Sequence, residues 1–162
     1  MRHKFLRVLG SAAALAVVLG TAACADDGGG DDNNNQGQGR DCTVKIAFFG
    51  ALTGPNAALG INIRNGGKLA FDKYNNDSNR DTCQIQFDER DSQGDERQAP
   101  GIADAIIQDP DIIGVLGPAF SGESRAANGK LSDNGVTIIT ASATNPTLAQ
   151  QGWKTFHRAL GN

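Results

Sequence analysis

Short apolar runs alternate with longer amphipathic stretches from residue 42 onward. The apolar runs predict strands over 44–50, 84–90, 112–117, 136–140 and 155–160. Between them, helices are predicted over 59–76, 95–109 and 121–134, and residues 141–152 read as a turn. Strands that are apolar throughout and separated by helices predict a doubly wound α/β fold, a parallel sheet with helices on both faces.

Two details of the helices are left open by the pattern. In the first helix, Ile63, Leu69 or Ala70, and Tyr74 recur at helical spacing and form its predicted inner face. In the second, Pro100 either kinks the helix or makes it begin late, because proline lacks the N–H that a helix interior requires.

The first 24 residues have the pattern of an export signal: a basic start, a short apolar run and a small-residue cleavage site ending in Cys24. The segment resembles a bacterial lipoprotein signal, in which that cysteine is acylated and becomes the mature N-terminus. Thr21 departs from the pattern, since such signals more often carry leucine there. The alternatives are an ordinary secretory signal cut near Ala23 and a signal anchor that stays in the membrane.

Residues 25–41 contain no apolar residue beyond Ala25 and are rich in Gly, Asn, Gln and Asp. Such a composition predicts a disordered tether, which would hold a folded domain near the membrane surface. About 120 residues remain from 42 to 162, enough for one domain with a single core. The net charge of −3, without charge blocks beyond the tether, argues against a nucleic-acid partner.

Cys42 and Cys83 are expected to form a disulfide. Both lie just before predicted strands, and neighbouring parallel strands begin side by side. The alternative is a pair of unlinked, buried thiols. Two cysteines without a suitably placed histidine do not predict a zinc site.

Three loops follow the carboxyl ends of predicted strands, where a doubly wound fold binds its ligand. They contain "GALTGPNAALG", "GPAFSGESR" and "ASATNPTL", all small and rich in hydroxyls, and they offer N–H groups and oxygens to a small polar ligand. Phosphate is disfavoured because Glu123 stands where a phosphate-binding loop carries lysine.

Neither an enzyme nor a cofactor is predicted. His157 is the only histidine after the signal, and no Gly-x-Ser-x-Gly motif is present. The acidic segment 88–97 mixes carboxylates with arginines and is interpreted as a solvated loop and helix start.

Four segments in order resemble the N-terminal lobe of periplasmic binding proteins of the leucine/isoleucine/valine type. They are "VKIAFFGALTGPNAALG", "GKLAFDKYN", "DIIGVLGPAFSGESRAA" and "GVTIITASATNPTL". The resemblance implies the fold of a type I binding-protein lobe. It also implies a membrane-anchored extracytoplasmic protein that binds an amino acid or similar small metabolite and delivers it to ABC permease subunits.

The resemblance also implies roles for individual residues. Ser121, Ser142 and Thr144 would hold the ligand's α-carboxylate and α-ammonium, with the backbone near Gly122 and Ala143 close by. The alternative is that Ser121 and Thr144 only cap helices. Leu59 stands where relatives selective for branched side chains often carry an aromatic residue, so side-chain specificity is open.

The resemblance places the end of this chain near the first crossing into a second lobe, so the lobe is expected to be incomplete. A working importer component is one reading. The alternatives are a sensory or interaction module that transports nothing, and a non-functional fragment that lacks the second lobe.

Overall fold

A computed structural model describes residues 42–79 and 82–161. The predicted signal with Cys24, and the predicted tether 25–41, lie outside these residues. In chain order the elements are β1 (Thr43–Gly50), α1 (Ala57–Asn75), β2 (Gln84–Asp91), α2 (Ala99–Ile107), β3 (Ile112–Leu116), α3 (Ser121–Asp133), β4 (Thr137–Thr140), a short 3₁₀ helix (Pro146–Gln150) and β5 (Phe156–Arg158). The five predicted strands are confirmed to within a few residues.

All five strands pair in parallel, in the order β2-β1-β3-β4-β5. The chain first builds outward from β1 to β2 and then returns to the opposite side of β1 for the remaining strands. This reversal places a topological switch point between β1 and β3 and confirms the doubly wound α/β fold. Because the strands are parallel, their carboxyl ends form one edge of the sheet.

The principal core lies between the sheet and the helices α2 and α3. Phe49, Ile106, Leu131 and Ile138 belong to it and are at most 1% exposed. Pro100 is in the first turn of α2, where an N–H would have no helical partner, so the helix begins late instead of kinking.

Helix α1 covers the other face, and its inner side differs from the predicted one. Phe71 packs against Phe87 of β2 with ring centroids 5.2 Å apart. Leu69 is 72% exposed and Ala70 is also exposed, so the predicted Leu69 or Ala70 position was wrong. Beyond α1 the sheet carries an apolar depression of about 350 Å³ lined by Ile113 and Ile139.

Helix α1 begins in close contact with the loop after β1. A β carbon on Gly60 would lie 1.8 Å from the Ala51 carbonyl oxygen, far inside van der Waals contact. Only glycine therefore lets the first turn of α1 reach this depth. No helix within residues 42–79 and 82–161 is long and apolar enough to cross a membrane.

Cys42 and Cys83 are joined by a disulfide in the structure, with Cα atoms 4.7 Å apart. The bond lies where β1 and β2 begin, beside the backbone hydrogen bond from Gln84 N–H to the Cys42 carbonyl. It closes a loop with a sequence separation of 41 residues that contains all of α1.

We predict that Gly60→Ala lowers the free energy of unfolding by about 1–3 kcal/mol, since the added methyl group must displace α1. Gly66→Ala is the matched control, because a β carbon there meets nothing within 4 Å. This control should raise stability by about 0.5–1 kcal/mol through helix propensity. Urea denaturation of both variants checks this, and equal effects would contradict the close contact at Gly60.

Replacing both Cys42 and Cys83 by serine should lower the free energy of unfolding by about 4 kcal/mol, because the unfolded chain regains the freedom of a long loop. Reductant should destabilise the wild-type protein by a similar amount and leave the double variant unchanged. A wild-type unfolding midpoint that does not move with reductant would show that the two thiols are unlinked.

Candidate functional site

The turn after β3 lies against the ends of both neighbouring strands. Gly117 N–H donates to the Ile139 carbonyl at 2.8 Å, and Ala119 N–H donates to the Phe49 carbonyl at 3.0 Å. Gly117 has φ +136°, and a β carbon there would lie 2.2 Å from the Phe49 oxygen, so glycine is required. The turn is thereby fixed directly above the switch point between β1 and β3.

Helix α3 starts at this turn without a side-chain cap. Its N-cap residue is Phe120, whose side chain has no hydrogen-bond acceptor. Only the return half of a capping box is present, in which the Glu123 carboxylate accepts from Phe120 N–H at 2.9 Å. The N–H groups of the first turn therefore point outward with the positive end of the helix dipole, which favours an anion.

The loop after β4 is hydrogen-bonded to the start of α3. Ser121 Oγ accepts from Asn145 N–H at 3.2 Å, and the Ser142 hydroxyl donates to the Ala119 carbonyl. The buried Thr140 hydroxyl donates to the Pro118 carbonyl at 2.8 Å and accepts from Ala143 N–H at 3.1 Å. These bonds bring Ser121 and Gly122 together with the predicted residues Ser142, Ala143 and Thr144.

Helix capping does not explain the two hydroxyls. Ser121 is the first helical residue of α3 and not its N-cap, and Asn145 caps the 3₁₀ helix by accepting from Thr147 N–H at 2.9 Å. Thr144 is exposed, and its carbonyl accepts from the Arg158 guanidinium at 3.1 Å. Arg158 also donates to the Asn145 carbonyl at 2.9 Å and so fixes the loop from β5.

Leu59 lies apart from this hydroxyl cluster. It is in the first turn of α1 and 44% exposed. Since α1 follows the carboxyl end of β1, Leu59 is at the same edge of the sheet as Ser121. The described hydrogen bonds do not join its part of the chain to the 142–144 segment.

Sequence reasoning missed Asp91, which it assigned to a solvated loop. Asp91 is partly buried at the end of β2, and it accepts hydrogen bonds from Leu52 N–H at 2.8 Å and from the Thr53 hydroxyl at 2.6 Å. Burial acts to raise the pKa of Asp91, but the bonds from Thr53, Leu52 and Gln93 outweigh it and lower the pKa below 3.8. An aspartate directly after a strand was the available signal.

The neighbouring Ser92 was also misread, since it is fully buried. In contrast, the remaining charges of segment 88–97 are arranged much as expected. Arg97 pairs with Asp95 and lowers the pKa of that carboxyl to about 2, and Arg90 pairs with Asp88 at 2.6 Å.

Glu123 was recognised only as an obstacle to phosphate, and its burial was missed. The side chain is fully buried beneath the start of α3, and its Oε1 has no hydrogen-bond partner among the described residues. Burial raises the pKa of Glu123 above 4.5, opposed by the Ser92 side chain and the Phe120 N–H and assisted by Asp91 and Asp95.

Together these features form an edge whose chemistry suits an anion, with hydroxyls beside the start of α3 and the Glu123 carboxyl beneath it. Across the described ranges no group of three His, Cys, Asp or Glu side chains is arranged to hold a metal ion. Helix N–H groups and hydroxyls suit a carboxylate, while hydroxyl and carbonyl oxygens suit an ammonium group.

The sequence profile of the periplasmic binding protein family matches residues 43–158. The chain therefore belongs to this family, and the fold is that of a type I binding-protein lobe. The family prediction is confirmed. The relatives that match are named as binding proteins rather than as enzymes.

Two relatives are similar to this chain in sequence over about a third of their own length. A leucine-, isoleucine-, valine-, threonine- and alanine-binding protein of Pseudomonas aeruginosa is 32% identical over 74% of this chain and 32% of its own length. The leucine-specific-binding protein of Salmonella typhimurium is 31% identical over 73% of this chain and 32% of its own.

Among solved structures, the branched-chain amino acid transporter substrate-binding protein LivJ of Streptococcus pneumoniae, in complex with isoleucine, is similar. It superposes with a TM-score of 0.69 and 28% identity, covering 74% of this chain and 34% of that one. The chain thus spans about a third of the length of the relatives it matches.

We predict that Glu123→Gln is more stable than the wild type near neutral pH. Because burial raises the folded-state pKa above 4.5, ionisation of Glu123 costs folding free energy once the pH exceeds that value. The difference should shrink as the pH falls through 4.5 and vanish below it, where the wild-type carboxyl is protonated in both the folded and the unfolded state. Urea denaturation across this pH range measures it, with Glu96→Gln on the surface as the control. A difference that grows towards acid would contradict the assignment.

Proposed function

We propose that this chain forms the first lobe of an extracytoplasmic substrate-binding protein that serves an ABC importer of branched-chain or related amino acids. In this proposal the ligand's α-carboxylate binds the start of α3, at Ser121 and the N–H groups around Gly122. Its α-ammonium binds the oxygens of Ser142 and Thr144 near Ala143. The observation that carries the proposal is the uncapped start of α3 beside a hydroxyl cluster at the switch point.

The charges around the site favour a carboxylate over a phosphate. Glu123 lies beneath the start of α3, and Asp91 at the end of β2 is near enough to act on the pKa of Glu123. A dianionic phosphate would meet more repulsion from them than a singly charged carboxylate, and the edge has no lysine at the position of Glu123 to compensate. Ser121 Oγ accepts its hydrogen bond from Asn145 N–H. The hydroxyl hydrogen of Ser121 can therefore be donated to a ligand oxygen.

The relatives support an amino acid as the ligand. One is named for binding leucine, isoleucine, valine, threonine and alanine, and the similar LivJ structure holds isoleucine. Leu59 is proposed to face the ligand's side chain from the start of α1. An aliphatic residue there suits an aliphatic ligand side chain through apolar contact.

Delivery to a transporter completes the proposal. Binding proteins of this kind close two lobes around the ligand, so contacts to its opposite face would come from a second lobe. Acylation of Cys24, with residues 25–41 as a tether, would keep the protein at the membrane surface beside the permease subunits.

In the intact protein, Ser121→Ala and Thr144→Ala should each weaken the binding of L-leucine by about tenfold, the cost of one lost hydrogen bond to a charged group. Ser132→Ala, near the far end of α3, is the matched control and should leave affinity unchanged. Isothermal titration calorimetry on the three variants measures these affinities.

Two results would overturn parts of the proposal separately. Wild-type affinity in both Ser121→Ala and Thr144→Ala would remove these residues from the site while leaving an amino acid as the ligand. A wild-type protein that binds none of the aliphatic amino acids would remove the ligand class itself.

A further inference from the structure

The segment Asp91–Gly94 crosses from the end of β2 to a position between two ligand loops. Ser92 N–H donates to the Gly50 carbonyl at 2.9 Å, which carries the segment over the end of β1. Further along, a β carbon on Gly94 would lie 3.0 Å from Asn56 Nδ2 and 3.5 Å from Phe120 Cε2. The segment therefore contacts both the loop after β1 and the turn that begins α3.

Asp91 is the hydrogen-bond centre of this segment. Its Oδ1 accepts from the N–H groups of Leu52 at 2.8 Å, Thr53 at 3.3 Å and Gln93 at 2.9 Å. Its Oδ2 accepts from the Thr53 hydroxyl at 2.6 Å. Over residues 42–79 and 82–161, no other side chain is seen to accept from the N–H groups of Leu52 and Thr53.

The same segment reaches the other half of the site. The Ser92 side chain lies beside the buried Glu123 carboxylate, which accepts from the N–H of Phe120 at 2.9 Å. Consecutive residues of one strand end thus act on both loops, Asp91 on the loop after β1 and Ser92 on the base of α3.

We propose that Asp91 is a positioning residue for the ligand site. It fixes the loop that leads from β1 to Leu59 at a set distance from Ser121, and it acts through that loop without touching the ligand. The predicted effect of Asp91 on ligand binding rests on the proposed function. Its effect on the loop can be measured without a ligand.

Three variants of the intact protein separate the possible roles of Asp91. Asp91→Leu keeps the size of the side chain and removes every acceptor. Asp91→Asn keeps one oxygen for the three N–H groups, and its amide can donate to the Thr53 oxygen once that hydroxyl rotates. Asp88→Leu is the control. It also removes a carboxylate from β2, but that carboxylate accepts from Arg90 and not from the loop after β1.

Hydrogen exchange of the ligand-free protein is the first measurement. In Asp91→Leu, the amides of Leu52, Thr53 and Gln93 should exchange about tenfold faster or more, since each loses its acceptor. In Asp91→Asn and Asp88→Leu their exchange should stay within about threefold of the wild type.

Calorimetry with L-leucine and L-alanine is the second measurement. Asp91→Leu should weaken leucine binding by about tenfold and alanine binding by less, because the displaced loop carries the contact to the longer side chain. A general loss of stability would weaken both ligands equally, so the change in their ratio identifies positioning. Asp91→Asn should restore most of the affinity.

The outcomes separate this inference from the proposed function. If the wild type binds leucine and Asp91→Leu binds both ligands as well as the wild type, Asp91 does not position the site. Equal weakening of both ligands also overturns the inference. If the wild type binds no amino acid, the proposed function fails. The positioning of the loop is then tested by hydrogen exchange alone, and unchanged amide exchange in Asp91→Leu would overturn it.

Discussion

The close approach of backbone at the switch point is the constraint on which the other features of this lobe depend. The Phe49 carbonyl at the end of β1 accepts from Ala119 N–H, and Gly117 passes so near that a side chain has no room. This contact fixes where the turn after β3 ends and therefore where α3 begins. The uncapped N–H groups of α3 and the hydroxyls bonded to its first turn take their positions from it.

Two carboxyl groups beneath the site carry opposite pKa shifts, and the difference comes from their surroundings. Asp91 accepts from backbone N–H groups and a hydroxyl, which favour its ionised form over the opposing effect of burial. For Glu123 burial dominates, and one oxygen has no partner among the described residues. One carboxylate thus serves as a charged centre for a loop, while the other lies under a helix start that attracts negative charge. A ligand carboxylate bound at the start of α3 would bring a third acidic group close to these two.

The predictions from sequence succeeded where a single periodic pattern decides the outcome. Apolar runs located all five strands. Pro100 predicted either a kink or a late start of α2, and the structure shows the late start. They failed where a residue's partner lies in another element. Leu69 fits a helical face by spacing, yet α1 packs through Phe71 on Phe87. Asp91 and Ser92 lie in a charged segment. The position of Asp91 directly after a strand was a local signal, but nothing local shows that Ser92 is buried.

The sequence by itself determined the fold class, the edge of the sheet that holds the candidate site, and the hydroxyl-rich loops that form it. It could do so because alternating strands and helices allow few arrangements, and parallel strands bring their carboxyl ends together. Only the tertiary structure decided which backbone groups the hydroxyls bond, and that Ser121 is no helix cap. It also decided that Asp91 accepts from the loop after β1 and Glu123 from the turn before α3. Those facts depend on contacts between residues up to 39 positions apart, as from Leu52 to Asp91, and no local pattern encodes such a distance.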